Sequence, residues 1–269
     1  MQADRVRDAW HGGCLASIAM NVSLHQAAAA MTANARWQEV ISENLSASFV
    51  PGFKKQDLSF QAVQAGLPSG LGSGLGGTAR KFAMPSASVS TNFQNGEMKP
   101  TGGALDVAIE GPGFFEIQLP NGDHAYTRDG EFELNSQGQL VTKQGLPVAS
   151  DSGVLQFDVN NPAPISISPS GEVSQGGDRK GTLRLMDFGD ERRLTPLGGG
   201  MFANRDPQLQ PTAAKATLRQ RYLEAGNTSG VSEMTSLITS LRMYEANQKV
   251  VQSQDERMGR AIADLGTAS

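Results

Sequence analysis

The alternation of apolar and polar residues predicts a β domain in the middle of the chain. Between Ala104 and Gly145, apolar residues recur at every second position, and turn residues interrupt them at nearly even intervals. The interruptions fall at 111–113, 120–123, 129–130 and 137–138. They include Asn-Gly and Asp-Gly pairs, which are typical of β-hairpin turns. Because the alternation continues as far as Phe202, we predict one mainly antiparallel β domain over 81–205.

A helical period precedes this domain, at steps of three and four residues between 22 and 46, without Pro or Gly. The residues of this stretch predicted to form the assembly contact are Leu24, Met31, Ile41 and Leu45. The apolar face is narrow and rich in alanine, which suits close contact with another helix. We therefore interpret 21–65, the helix with the turn after it, as an assembly segment.

A second helical period fills 229–269. Ser229 or Gly230 can cap the helix, and Glu233 lies in the first turn, where the helix dipole favours a carboxylate. The seam alternates steps of three and four through Met234, Leu237, Leu241, Tyr244, Gln248, Val251, Asp255, Met258, Ile262 and Leu265. This heptad-like repeat predicts a helix of about 35 residues, roughly 50 Å long. The predicted fold class is α+β, with both terminal helices packing as a coiled-coil-like stem.

Two polar residues, Gln248 and Asp255, interrupt that seam where a coiled coil favours apolar side chains. One interpretation is local fraying of a surface helix. The other is control of register, since a polar seam residue penalises wrong alignments at some cost in stability. The sequence leaves both interpretations open.

The remaining segments are connections. Residues 1–20 show no periodicity and are interpreted as a disordered extension or as the product of an upstream start-codon assignment; 206–228 is a return connection. The segment 66–80 is rich in glycine and formally contains G-x-G-x-x-G at 72–77. A dinucleotide loop needs a preceding strand, a following helix and a later acidic residue. Because this context is missing, we interpret 66–80 as a flexible linker.

Composition excludes several classes of function. The 269 residues include 23 basic and 27 acidic ones, a formal net charge of −4, which argues against a nucleic-acid surface. No apolar run approaches the roughly 20 residues of a membrane span, and 14–20 is too short for a secretory signal. Cys14 is the single cysteine, and His11, His25 and His124 are far apart. We therefore predict no disulfide, no metal site and no cofactor.

No arrangement of residues suggests catalysis. Ser170 lacks a nucleophile-elbow pattern. The carboxylates Asp106, Glu110 and Glu116 could form a glycosidase pair, but strand alternation directs the first two towards solvent. We predict no catalytic residues and no enzyme.

Three pairs of adjacent residues have simple structural interpretations. Phe114 and Phe115 would face opposite sides of a strand, so that one enters the core and the other covers an edge or a subunit contact. Arg128-Asp129 would be hairpin residues. Lys54-Lys55 would interact with the dipole at the end of the first helix.

Four short motifs in the β segment resemble the shared core of the flagellar rod and hook proteins, the axial proteins of the bacterial flagellum. They are 105–109 (LDVAI), 111–115 (GPGFF), 126–132 (YTRDGEF) and 138–142 (GQLVT). The family residues in them are Leu105, Asp106, Gly111, Gly113, Phe114, Phe115, Tyr126, Thr127, Arg128, Gly130, Phe132, Gly138 and Leu140.

The resemblance extends to both ends of the chain. Residues 43–47 (ENLSA) and 51–55 (PGFKK) resemble the turn after the family's first helix, with a departure at Ser48-Phe49-Val50, where the family usually has Asn and Thr. Residues 223–227 (LEAGN) and 242–250 (RMYEANQKV) resemble the C-terminal signature. Gly226 and Thr228 depart from it.

The resemblance implies a structural subunit of the flagellar basal-body rod. Such subunits polymerise through their terminal helices into a hollow helical shaft that transmits torque, with the β domain outside. The expected partners are further copies, other rod, hook and ring proteins, and the flagellar export apparatus, which would export the chain without a cleavable signal into the periplasm-spanning basal body. The alternatives are a hook subunit, a non-flagellar secreted coiled-coil/β fibre protein and a carbohydrate-active enzyme.

Overall fold

The computed structural model describes residues 26–65 and 82–267, and its elements confirm the α+β class. Helix α1 covers 26–46, helix α2 covers Gly230–Thr267, and a short 3-10 helix covers Glu191–Arg193. The strands are β1 Gln56–Ala65, β2 Phe82–Thr91, β3 Met98–Pro100, β4 Val107–Glu110, β5 Phe114–Gln118, β6 His124–Thr127, β7 Phe132–Leu134, β8 Leu140–Thr142, β9 Ala149–Ser150, β10 Gly153–Val154, β11 Ile165–Ile167, β12 Glu172–Gln175, β13 Asp178–Thr182, β14 Leu185–Asp187, β15 Thr195–Gly198, β16 Met201–Ala203, β17 Thr212–Ala213, β18 Thr217–Gln220 and β19 Tyr222–Glu224. The predicted extension 1–20, Leu24 and the predicted linker 66–80 lie outside the described residues.

The chain forms two compact units. The helical unit contains, of the described residues, 26–42, 57–65, 82–90 and 233–267; the β unit contains 43–56 and 91–232. Within the helical unit, β1 and β2 pair as a two-stranded sheet. The ring of Phe60 on β1 meets the ring of Trp37 on α1 edge to face, with 5.9 Å between centroids. In the part of the chain that the structure describes, no helix is long and apolar enough to span a membrane.

The β unit is built on a six-stranded sheet in the order β15-β16-β6-β5-β14-β17, and all its pairings are antiparallel. Further antiparallel pairs surround it, among them β4 with β18 and β3 with β19. Strands β17, β18 and β19 lie within the segment 206–228, which the sequence analysis treats as a connection. The return segment 206–228 therefore contributes three strands to the sheets of the β unit.

Phe114 and Phe115 are both completely buried, which corrects the prediction that one of them covers an edge or a subunit contact. The period of two places them on opposite faces of β5, as expected. Each face, however, has its own core: Phe115 packs edge to face with Phe132 at 5.0 Å, and Phe114 packs among Phe93, Phe188 and Phe202. The sheet has no free face at this position because loops and neighbouring strands cover both sides.

Candidate functional site

A buried cluster of charges lies where the chain enters and leaves the β unit. Glu224, at the end of β19, is 2% exposed, and its Oε1 accepts hydrogen bonds from Lys54 Nζ at 2.7 Å and from Gly96 N at 2.8 Å. Its Oε2 lies 3.4 Å from Arg128 Nη1. Glu224 therefore holds two cations that come from distant parts of the sequence.

Both cations are themselves buried and have further partners. Lys54 Nζ donates to the carbonyl of Gln94 at 2.9 Å, and Arg128 Nη2 donates to the carbonyl of Gly111 at 2.9 Å. The Arg128 guanidinium also lies 5.2 Å from the centroid of the Phe114 ring. These contacts correct two predictions: Lys54 does not serve the helix dipole, and Arg128 is not a simple hairpin residue. Their side chains turn inward because a buried carboxylate is available to both.

Burial and the carboxylate act in opposite directions on these cations. Removal from water lowers the pKa of Lys54, and the charge and hydrogen bond of Glu224 raise it in part. The pKa of Arg128 is likewise lowered by burial and raised in part by Glu224 and Glu191. A buried carboxylate with two cations is costly to break, because removing one member leaves uncompensated charge in the interior.

Two asparagines fix the backbone on either side of the charge cluster. Asn44, near the end of α1, donates through Nδ2 to the carbonyl of Gln56 and accepts through Oδ1 from Gln56 N, both at 2.9 Å. Asn227 accepts from Lys55 N at 2.7 Å and donates to the carbonyls of Asn92 and Gln94 at 2.7 and 3.0 Å. The end of α1 and the chain just before α2 are thus tied to the same loops.

Close backbone approach completes this region, which we call the junction (Asn44, Gly52, Lys54, Arg128, Glu224 and Asn227). Gly52 has φ +64°, and its N–H donates to the carbonyl of Glu224 at 2.7 Å. A Cβ at Gly52 would lie 2.3 Å from the carbonyl carbon of Arg128. Only glycine fits there, since both the conformation and the space exclude a side chain.

Four junction residues are absent from the site predicted from sequence, although all of them lie in segments that resemble the axial family: Asn44, Lys54, Glu224 and Asn227. The available signal was a polar or charged side chain at a position of a family motif. The β motifs show the same arrangement: Thr127 Oγ1 donates to the carbonyl of Gly200 at 2.9 Å, and Asp129 is buried.

The predicted assembly residues divide into two sets on α2. Leu237, Tyr244, Val251 and Met258 are partly buried, and they share the less exposed face with the polar residues Glu233, Ser240, Asn247 and Gln254. The other set faces solvent: Met234, Leu241, Gln248, Asp255 and Ile262. Met234 is 55% exposed, Leu241 47% and Ile262 69%. On α1, Ile41 is buried, while Met31 and Leu45 are partly buried.

The polar residues on the less exposed helix faces differ from those that the sequence analysis chose. Gln248 and Asp255 are exposed, whereas Ser240 is fully buried on α2 and Asn34 is 3% exposed on α1. The side-chain Nδ2 of Asn34, Nε2 of Gln38 and Oγ of Ser240 make no hydrogen bond to the described residues. The covered faces of the helical unit are therefore partly polar, which weakens them as a hydrophobic seam.

The three carboxylates considered for catalysis have ordinary partners. Glu116 is buried, with Oε1 3.0 Å from His124 Nδ1 and Oε2 3.2 Å from Arg184 Nε. Glu110 is exposed and lies 3.7 Å from Arg219, and Asp106 accepts a short hydrogen bond from the Thr101 hydroxyl. Within the described ranges 26–65 and 82–267, no group of three or more His, Cys, Asp or Glu residues could hold a metal ion.

Comparisons with known proteins identify two regions of this chain. Residues 108–175 match the model for the flagellar hook protein FlgE/F/G D1 domain, and residues 219–264 match the model for the flagellar basal body rod FlgEFG protein C-terminal region. The first region includes Arg128 and the second includes Glu224 and most of α2.

Curated relatives extend the similarity to most of the chain. The flagellar basal-body rod protein FlgF of Caulobacter vibrioides is 34% identical over 85% of this chain and 91% of its own length. The rod protein FlgG of the same organism is 34% identical over 88% of this chain and 96% of its own. FlgG of Borreliella burgdorferi is 34% identical over 89% and 97% respectively.

Proposed function

The chain belongs to the family of flagellar basal-body rod proteins, and from this premise we propose that it is a structural subunit that polymerises through its terminal helices into a hollow, torque-transmitting shaft. Its place is the flagellar basal body. Each subunit contributes α1 and α2 to a coiled-coil-like stem.

The exposed apolar face of α2 is the observation on which the proposal depends. Met234, Ile238 and Leu241 are separated by steps of four and three, so that they lie on one face of the helix, and each is about half exposed. A row of large apolar side chains on a 38-residue helix is a contact surface, because leaving it in water forgoes the free energy of burial. Contacts between this face and the helices of neighbouring subunits would bury it.

The junction suits a subunit that is loaded mechanically. The Lys54–Glu224 ion pair and the hydrogen bonds of Asn227 join loops that are more than a hundred positions apart in sequence, so a pull on either terminus is shared by several strands. A rod subunit needs such a connection because torque applied at its helices must not unravel the β unit. No step of catalysis is required, and we propose that the chain is not an enzyme.

The proposed surroundings follow from the same role. The subunit contacts further copies of itself and the neighbouring rod, hook and ring proteins of the axial structure. It reaches the basal body through the flagellar export apparatus, without a cleavable signal. The hook remains the second candidate position, because the matching D1 model is described for hook and rod proteins together.

Electron microscopy of basal bodies from a deletion strain tests the proposal. We expect rods that stop at a defined level, and restoration of full rods by the wild-type chain. A matched complementation with a chain that carries Met234→Ser and Ile238→Ser should leave the rods short. Full-length rods in the deletion strain would refute the proposal. If these complete rods lack a hook, the chain is a hook subunit instead.

A further inference from the structure

Phe49 is the most exposed of the large hydrophobic residues in the described part of the chain, at 93%. It follows α1 in the turn 47–52, within the segment Ser48-Phe49-Val50 that departs from the family pattern. An aromatic ring buries 150–250 Å² when it is covered, so an uncovered one forgoes a large hydrophobic free energy. The position is therefore a candidate for a contact with another molecule.

Contacts within the β unit hold the Phe49 turn in place. A Cβ at Gly230 would lie 3.6 Å from Ser48 Oγ, and a Cβ at Gly200 would lie 3.7 Å from Val50 Cγ1. The turn is thus supported by the start of α2 on one side and by the β15–β16 connection on the other. The ring of Phe49 is presented outward from a supported backbone, as a knob.

The same unit contains a cavity of about 410 Å³ that can receive such a ring. Leu119, Tyr126, Leu197 and Ala203 supply its apolar walls, and five polar residues line the rest: Asn121, Asp123, His124, Asn204 and Arg205. A protein cavity on the order of 150 Å³ already holds a benzene molecule. Phe49 is not part of the cavity lining, although the β15–β16 connection that supports its turn follows Leu197 of the cavity.

We propose that Phe49 of one subunit enters the cavity between Leu119 and Leu197 of the next subunit. The partner is a second copy, because this chain itself supplies both complementary parts. A contact between two different patches is heterologous, and its repetition gives an open filament rather than a closed ring. The inference rests on the proposed function and adds a contact of the β unit to those of the terminal helices.

Cysteine cross-linking in assembled basal bodies tests the contact. Two full-length chains, each with Cys14→Ser, carry Phe49→Cys and Leu197→Cys separately, so that no disulfide can form within one subunit. They are expressed together in the deletion strain and oxidised, and we expect covalent dimers that contain one copy of each. The matched control replaces the Phe49→Cys chain by one with Val159→Cys, an exposed apolar position of the same unit, and should give no dimer. No mixed dimer from the Phe49–Leu197 pair, or an adduct with a different axial protein alone, would overturn the inference.

Single substitutions separate this contact from the proposed function. Phe49→Ala and Leu197→Arg should each raise the concentration needed for polymerisation of the full chain by about ten-fold or more, while Val159→Ala changes it little. Thermal unfolding should be unchanged by Phe49→Ala, because the ring touches little of its own subunit. If Phe49→Ala assembles like the wild type while the Met234 and Ile238 variant does not, the knob contact is wrong and the rod function stands. Full-length rods in the deletion strain would instead refute the proposed rod function.

Discussion

Lys54 Nζ donates a hydrogen bond to Glu224 Oε1 over 2.7 Å, although the two residues are 170 positions apart in the sequence. Each side chain is 1% exposed. This contact joins the segment that leaves the first helix to the segment that leads into the last one. Both termini of the β unit therefore depend on one buried carboxylate, which Arg128 shares.

Glu224→Gln should lower the free energy of unfolding of the β unit by roughly 3–5 kcal/mol, because two buried cations lose their counter-charge while the shape is kept. Urea unfolding followed by fluorescence or circular dichroism measures the change. Glu133→Gln, an exposed carboxylate on β7, is the matched control and should change stability by less than about 0.5 kcal/mol. A loss below about 1 kcal/mol for Glu224→Gln would mean that the cluster is not a stabilising connection.

The hairpin order of the β domain could be predicted from sequence because it depends on local signals. Strands β5 to β8 follow the alternation between Phe114 and Thr142, and α2 begins at the predicted Gly230. The partner of Glu224 could not be predicted, since nothing local to β19 indicates that Lys54 will be beside it. The same limit applies to β1: its alternating Leu58 and Phe60 become a strand only because β2 pairs with it.

The helix seam shows the second limit of sequence reasoning. The heptad through Leu237, Tyr244, Val251 and Met258 matches the partly covered face of α2. The other predicted heptad, which includes Met234 and Leu241, is exposed. The polar residues Ser240 and Asn247 lie in the covered face instead. Periodicity identifies apolar positions; it does not tell which of them are covered within the subunit and which await a neighbouring subunit.

Asp129 should make the stability of the β unit depend on pH. Burial raises the pKa of Asp129 to about 6 from 3.8, and the backbone N–H of Glu131 opposes the shift. The charges of Glu131, Lys143 and Asp106 face it, the carboxylates raising its pKa and the lysine lowering it. The folded state binds the proton of Asp129 more tightly than the unfolded state does. The contribution of Asp129 to the free energy of unfolding is therefore greatest below pH 4. This contribution falls as pH rises towards 6 and is constant above pH 6.

Asp129→Asn should remove this dependence. Above pH 7 the variant should be more stable than the wild type by up to roughly 3 kcal/mol, the equivalent of a shift of about two pKa units, and the difference should vanish near pH 4. Urea unfolding at several pH values measures both chains. Asp158→Asn is a matched control because Asp158 accepts a similar backbone hydrogen bond, from Asn160, at the surface. If the difference in free energy of unfolding between wild type and Asp129→Asn is the same at pH 4 and pH 7, the raised pKa of Asp129 is contradicted.

Limited proteolysis of dilute, monomeric protein should remove the ends and leave a fragment that contains 91–232. The helices should be trimmed because the covered face of α2 alternates apolar residues with Ser240, Asn247 and Gln254, and a partly polar seam stabilises a helix pair weakly. Mass spectrometry of the fragments locates the cuts. In assembled rods the same sites should be protected. Resistant helices in a sample that sedimentation shows to be monomeric would contradict the prediction that these termini are stabilised by assembly.

Replacing Met234 and Ile238 by serine should abolish polymerisation and leave the subunit folded. Both side chains are more than half exposed, so little packing within the subunit is lost. The measurements are circular dichroism and urea unfolding for the monomer, and electron microscopy for the polymer. Thr235→Ala and Thr239→Ala, made together on other exposed positions of the same turns, are the matched control. Polymers of normal length from the serine variant would exclude this face of α2 as the contact.

Gly130→Ala should destabilise the β unit more than a typical glycine substitution. A Cβ at Gly130 would lie 1.7 Å from the carbonyl oxygen of Val107. Because Val107 belongs to β4, this oxygen could move away only if β4 moved. The same two backbones are joined by the hydrogen bond from Val107 N to the carbonyl of Gly130 at 3.0 Å, so β4 and the connection between β6 and β7 would have to separate. We expect the free energy of unfolding to fall by about 3 kcal/mol or more, since the substitution both overpacks the interior and breaks this backbone hydrogen bond. Gly189→Ala is the matched control, because a Cβ there meets no atom within 4 Å. Equal stability of the two variants in urea unfolding would show that the approach of Gly130 to Val107 is not a constraint on the fold.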